Sequence, residues 1–266
     1  MHWIVQEDFL LGKPGWADLI DTLIRFGVEH TFHRVTPRSG ELVPGPSVLH
    51  ANVFCYGSYS MRHVATRFQW KPGIFDLYQQ DFEQQRAYWG GEMLNHHAVV
   101  CDLASATCEG DTVFVRPVAD TKSFTGKLFE RREFEDWKRR ACDLGNALPD
   151  SPSLKADTLV QVCDPVEIHA EYRCWIVKGK VVTCSVYRRG GLAFFSDEVD
   201  ERVVAYAQDR VAEWQPHEAF VLDVCDTPAG MRVVEINTIN CSALYAANVQ
   251  RLVGALEGAF SENLFG

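Results

Sequence analysis

Residues Ala219–Asn237 read AFVLDVCDTPAGMRVVEIN, two apolar runs separated by a turn-forming DTPAG. Asp223 sits inside the first run, and Glu235 and Asn237 sit two residues apart in the second. Strand side chains alternate, so Glu235 and Asn237 share a face with Val233, while Arg232, Val234 and Ile236 take the other. Proline and glycine in DTPAG favour a chain reversal, which makes the two runs a hairpin. With all five of those residues in the loop, Asp223 falls on the face of Glu235, one diagonal step away and within reach of a shared ion. Three oxygen-bearing side chains on one apolar sheet face are costly to bury without a neutralising cation. Mg²⁺ suits them, because it takes few protein ligands and completes its shell with water and phosphate. The alternative is that Asp223 caps a turn and Glu235 pairs with a basic side chain on a solvated face.

Working outward, EYRCWIVKGKVVTCSVYRR spells a second hairpin with KGK as a tight turn. Alternation sets Glu171, Arg173 and Trp175 on one face, and Arg188 ends the returning strand. Arginine at a strand end suits phosphate, since its fork of donors matches oxyanion geometry and stays charged. A surface ion pair of negligible worth between Glu171 and Arg173 is the alternative. Further upstream, TVFVRPVADTKSFTGKLF places Arg116 just before Pro117. A turn-rich stretch with Asp120, Lys122, Ser123, Thr125 and Gly126 follows, and the strand resumes at Lys127. Backbone N–H groups, hydroxyls and lysines in such a loop are equipped to cover phosphates. An exposed hairpin with scattered charges reads the same segment equally well.

The remaining chain sets the frame. HWIVQE, a helical stripe through Trp16, Leu19, Ile20 and Leu23, HTFHRV and NVFCYG describe a small α/β sheet with parallel pairing. From residue 111 strands and short turns dominate, interrupted by three helices around EFEDWKRRACDL, SDEVDERVVAYAQDRVAEW and ALYAANVQRLVGALE. The division expected is an α/β domain over 1–110 and an α+β domain over 111–266. A formal charge of -10 argues against a generic nucleic-acid binder, which needs a net basic face for counterion release, and leaves room only for a local basic groove. Nine cysteines without zinc-like spacing read as small buried hydrophobes in a reducing compartment. The first residues lack a basic, apolar leader and no run is long enough to span a membrane, so a soluble cytoplasmic chain is expected. His96 and His97 are adjacent, hence on opposite faces if extended, and read as structural.

Taken in order, these pieces resemble the ATP-grasp superfamily. FVRP is similar to that family's strand VKP with arginine replacing the nucleotide-binding lysine, as in a bacterial and phage-associated branch, and VVEINT is similar to its metal strand. The resemblance implies an ATP-grasp fold of two antiparallel α+β subdomains preceded by a small α/β domain. It implies ATP bound between two sheets, with backbone contacts to adenine from Gln161, Val162, Cys163 and Asp164. Arg116, Lys127, Arg173 and Arg188 would address phosphates or an acyl-phosphate, with Glu171 among the nucleotide contacts and Asp223, Glu235 and Asn237 holding Mg²⁺. The activity implied is a carboxylate–amine ligase acting on small-molecule or peptide substrates. A kinase-like phosphotransferase and a non-catalytic nucleotide-binding regulator are the alternatives. No lysine matches the one the family carries upstream of VRP, and Val221 stands where several relatives have arginine.

Overall fold

The first strand is apolar on both sides, and both sides find cover. Trp3 and Val5 enter one buried cluster with Phe54 and Tyr56, while Ile4 enters another with Val53 and Cys55. This is the signature of a sheet sandwiched between layers. The computed structural model describes residues 1–48, 50–77, 81–119, 124, 126–147 and 154–261. Asp120, Lys122, Ser123 and Thr125, expected in the phosphate-covering loop, lie outside the described residues. The fold is α+β with antiparallel sheets, as the sequence reading expects, and the chain forms two units: Met1–Tyr78 with Ile168–Gly266, and Gln79–Glu167.

The first unit opens with a five-stranded sheet of order β3-β2-β1-β4-β5. Its strands are β1 (His2–Gln6), β2 (His30–Val35), β3 (Leu42–Val43), β4 (Asn52–Tyr56) and β5 (Lys71–Gly73). β1 runs parallel to β2 and β4, and β4 parallel to β5. Helices α1 (Glu7–Leu10) and α2 (Trp16–Arg25) follow β1, and α3 (Arg62–Arg67) follows β4. α2 buries Leu19, Thr22 and Leu23, one helical stripe.

The second unit holds α4 (Phe82–Trp89), α5 (Arg131–Ala147) and four antiparallel strands in the order β6-β9-β7-β8. These are β6 (Val99–Asp102), β7 (Thr112–Pro117), β8 (Lys127–Glu130) and β9 (Leu159–Cys163). Alternation in β7 and β9 sends Val113, Val115, Val160 and Val162 into one core with Phe129 and with Phe134 of α5. The division expected at residue 110 falls inside this unit, because β6 already pairs with β9.

The chain then returns to the first unit as an antiparallel sheet, β12-β11-β10-β13-β14. Its strands are β10 (Ala170–Val177), β11 (Lys180–Arg189), β12 (Leu192–Ser196), β13 (Ala219–Thr227) and β14 (Gly230–Asn237), with helices α6 (Glu201–Glu213) and α7 (Val249–Phe260). The expected KGK turn is present, with Lys178 and Gly179 both left-handed. α6 lays buried Val203, Ala207 and Val211 against β10, β11 and β13. On the other side Trp175, Val177, Ala219 and Val221 share a core with Trp3, Phe54 and the α7 residues Leu252, Val253 and Leu256. The last helix begins at Val249, later than the apolar run beginning at Ala243 suggests, because Asn248 accepts the Arg251 N–H as its cap. Among the described residues no helix is long and apolar enough to cross a membrane.

Candidate functional site

β13 and β14 meet through a two-residue turn, Pro228–Ala229, flanked by the paired Thr227 and Gly230. The Thr227 hydroxyl closes it, donating to the Gly230 carbonyl at 2.7 Å and accepting from the Ala229 N–H at 3.2 Å. The five-residue loop of the sequence reading is therefore corrected, and the tighter turn alone would set Asp223 opposite Val234. A β-bulge repairs the phase. Val224 pairs with Val233, Asp223 pairs with Glu235, and Val234 is the unmatched residue between them. Asp223, Glu235 and Asn237 thus share one face, with Asp223 directly opposite Glu235 instead of diagonal to it. Val233, expected beside Glu235, instead joins Val224 on the opposite, buried face.

On its other side β13 pairs with β10, and Arg173 stands opposite Asp223. Arg173 Nε and Nη2 donate to Asp223 Oδ1 and Oδ2 at 2.9 and 2.7 Å. Asp223 is 1% exposed, so this fork is its main solvent substitute. Asn237 Nδ2 donates to Asp223 Oδ2 at 3.2 Å and to Glu235 Oε1 at 3.0 Å, tying the three oxygen-bearing residues into one cluster. Two residues along β10, Glu171 accepts from Arg188 Nη1 at 2.9 Å and from Tyr187 Oη at 2.7 Å. The Arg173 guanidinium also lies over the rings of Tyr187 and Tyr245, 5.5 and 5.1 Å from their centroids.

Burial alone would weaken the proton affinity of Arg173, but the Asp223 carboxylate outweighs it and raises the pKa, so the cation is permanent. Burial first, then the charges of Asp223 and Glu171, push Tyr187 well above an ordinary phenol, which keeps it a donor to Glu171. Among the described residues no group of three or more His, Cys, Asp or Glu assembles as a metal site. The donors here are two carboxylates and a carboxamide, a set that fits a hard ion such as Mg²⁺. Asn237 would present its oxygen to the ion by turning its amide over, and Asp223 would share an oxygen now held by Arg173.

In the second unit Arg116 pairs with Gln161 and shares the face of Phe114. Lys127 pairs with Val115 and so stands on the opposite face, the side of α5, where its Nζ lies 2.6 Å from Glu133 Oε1. The structure thus separates these two cations. Gln161 and Val162 are flanked by strands on both sides, whereas Cys163 has no β6 partner and Asp164 is exposed beyond it. Backbone groups for a base are accordingly sought at Cys163 and Asp164. Burial lifts the Cys163 thiol to about 11, and all nine cysteines are free thiols.

Three residues escaped the sequence reading. Tyr187 sits beside Arg188 but reads there as an ordinary strand aromatic. Tyr245 is left-handed, with its ring stacked between those of Tyr187 and Phe195 at 5.2 and 5.3 Å. Asn240 is fully buried: its Nδ2 donates to the carbonyls of Cys55 and Gly73 at 2.6 and 3.1 Å, and its Oδ1 accepts the Phe75 N–H at 2.9 Å. The Gly57 N–H returns to the Asn240 carbonyl at 2.9 Å, and a Cβ on Gly57 would stand 2.4 Å from that of Gln6. Tyr56 Oη reaches the Ser242 carbonyl at 2.6 Å. The carboxyl ends of β1 and β4, where open α/β sheets take ligands, therefore lie beside the segment that follows Asn237. The His96 and His97 rings meet edge to face with centroids 5.3 Å apart, and His96 Nδ1 lies 3.2 Å from the Met93 carbonyl.

The family described as an ATP-grasp domain of the R-two-K clade, family 3, matches residues 60–256. No curated protein matches the chain in sequence. Among solved structures, D-cycloserine synthetase DcsG superposes with a TM-score of 0.61 at 12% identity, covering 98% of this chain and 100% of its own. D-alanine–D-alanine ligase from Bacillus anthracis gives 0.62 at 11% identity, covering 98% and 94%. ATP-grasp ligase PsnB, solved with a minimal precursor, gives 0.56 at 13%, covering 97% and 98%. At these identities the likeness is one of fold.

Proposed function

This chain belongs to the ATP-grasp superfamily, in the third family of its R-two-K clade, and from that premise we propose that it is an ATP-dependent carboxylate–amine ligase. It would join a small-molecule or peptide carboxylate to an amine through an acyl-phosphate, giving an amide or peptide bond. The observation that carries this reading is the meeting of Asp223, Glu235, Asn237 and Arg173 on one sheet face. Glu235, Asn237 and Asp223 would hold Mg²⁺, which neutralises triphosphate charge when bound.

Arg173 is fixed by two hydrogen bonds and two aromatic rings, so its charge is already oriented before phosphate arrives. Arg188 is half exposed and anchored by Glu171, and in this reading it would follow the transferring phosphoryl group or the acyl-phosphate. Arg116 is assigned to nucleotide phosphates, and the strand end at Cys163 and Asp164, beyond the doubly paired Gln161 and Val162, to adenine. Lys127 would join them only by releasing Glu133. The acceptor is assigned to the strand ends at Gln6, Tyr56 and Ser58. Phosphoryl transfer rests on position and charge more than on a protein nucleophile, so the reading needs no Ser–His or Cys–His pair. Nine free thiols suit a reducing cytoplasm.

The test is ADP release from ATP and Mg²⁺ with a panel of carboxylates and amines, followed by product mass. Release that needs both substrates, with a product lighter than their sum by one water, is the expected result. An acceptor that gains phosphate instead assigns a phosphotransferase, and tight ATP binding without turnover across a broad panel assigns a regulator.

A further inference from the structure

A cavity of about 680 Å³ opens at the amino ends of the parallel strands, lined in part by Phe26, Gly27 and Val28 before β2 and by Asn52 at the start of β4. Open α/β sheets take ligands at the carboxyl ends of their strands, which Gln6 and Tyr56 mark in this sheet. β1 is five residues long, so the cavity lies roughly 13 Å behind those ends. The ligase chemistry makes no use of this space, and its size suits a small organic molecule. All of its lining residues belong to the first unit.

The polar groups it offers are mainly acceptors. Asn52 Nδ2 donates to the carbonyls of Phe260 and Lys71 at 2.9 and 3.5 Å, which leaves its Oδ1 for a ligand. Glu257 is already compensated, accepting from the Met1 ammonium at 2.8 Å and from Trp3 Nε1 at 2.6 Å. Glu29, at the rim, is not. Its Oε2 stands 3.8 Å from both His2 Nδ1 and His50 Nε2, too far for a hydrogen bond, and no Lys or Arg is among the described residues that line the cavity. Burial holds the His2 imidazole below its usual range, so it is uncharged at neutral pH. The carboxyl end of α2, the negative end of its dipole, reaches the same place, and Arg25 in its last turn is engaged with Asp21 at 3.1 Å. Phe26 follows, 46% exposed, with a ring face that can receive a cation.

We propose that this cavity is a second ligand site, which takes a small organic monocation: an ammonium carried on an aromatic or aliphatic body. Glu29 and the side-chain oxygen of Asn52 receive the ammonium, and Phe26 and Val28 pack against the body. An anion would face the Glu29 carboxylate, and a neutral molecule would leave that carboxylate without a counter-ion. The site is separate from the acidic cluster of β13 and β14 and does not depend on the chemistry performed there.

Isothermal titration calorimetry of the full chain tests this with phenethylamine and hexylamine, their matched alcohols, and phenylacetate. Both amines should bind with a Kd of about 1 mM or below. The alcohols and the carboxylate should bind about fivefold more weakly or not at all, the margin an exposed charge supplies. Glu29→Gln should weaken the amines by a similar factor and leave the melting temperature nearly unchanged, since that side chain is 75% exposed. Phe26→Ala should weaken phenethylamine as well, and saturating ATP with Mg²⁺ should displace neither amine. Amide NMR shifts on adding phenethylamine should centre on Gly27 and Val28. Amines that fail to bind at about 10 mM, alcohols that bind as tightly, a Glu29→Gln variant with full affinity, shifts centred elsewhere, or displacement by ATP overturns the proposal.

Discussion

Arg173 and Asp223 hold each other out of water, and that makes them fragile singly. Arg173→Met leaves a carboxylate buried without its counter-ion and is expected to cost about 3–5 kcal/mol in urea unfolding. Arg173→Lys keeps the charge but loses the fork, so turnover should fall further than stability does, read as kcat against the urea midpoint. Asn240→Ala strands one N–H and two carbonyls and is expected to cost about 3 kcal/mol. Tyr56 and Tyr187 are both raised, by burial first, so the folded chain keeps protons that the unfolded chain releases near pH ~10. The stability they lend is complete below that pH and declines as pH climbs above it. Tyrosinate absorbance should show these two phenols ionising only as the protein unfolds. Asp223, Glu235 and Asn237 were legible in sequence because polar residues in apolar strands stand out against a period of two. Tyr187, Tyr245 and Asn240 were not, because an aromatic or an amide in an apolar run looks the same whether or not a partner waits across the fold.

Hairpins set the phase of the site, and their turns set the hairpins. The bulge at Val234 lets a two-residue turn and three site residues coexist on one ribbon. Deleting Val234 keeps Asp223 opposite Glu235, while inserting alanine after Val234 breaks that pairing. Titration with Mn²⁺ should therefore show the insertion losing affinity and the deletion retaining more of it. In the β11–β12 turn Gly190 and Gly191 have φ of 54° and 78°, so alanine at either should cost about 1 kcal/mol, seen as a lower unfolding midpoint. The long alternating strands and α6 could be read from period alone. β12 could not, because LAFFS has no alternation and every residue up to Phe195 is exposed. The start of α7 was misplaced since an apolar run says nothing about where a capping asparagine will end the preceding turn.

At the scale of the whole molecule, a ligand that binds only the folded chain stabilises it by mass action. Mg²⁺ and ATP together at a hundredfold over Kd should add about 2.7 kcal/mol, seen as a higher melting temperature. EDTA should remove the metal-dependent part of that gain, and Glu235→Gln should abolish the same part while leaving the melt without ligand nearly unchanged, as a half-buried residue allows. Failure of EDTA to alter the ATP-induced shift would count against the acidic cluster as the metal site. The linear order of residues determined the α+β class, the positions of the long strands and the oxygen chemistry of β13 and β14, because alternation and turn propensity act over a few neighbouring residues, whereas the phase between those two strands was set by the bulge at Val234. Only the tertiary structure decided that Arg173, 50 positions from Asp223, is its partner, that Lys127 turns to Glu133, and that one unit is assembled from two separated segments. Those outcomes depend on which distant strands lie side by side and which charges are denied water, and burial and register settle both only once the chain has closed.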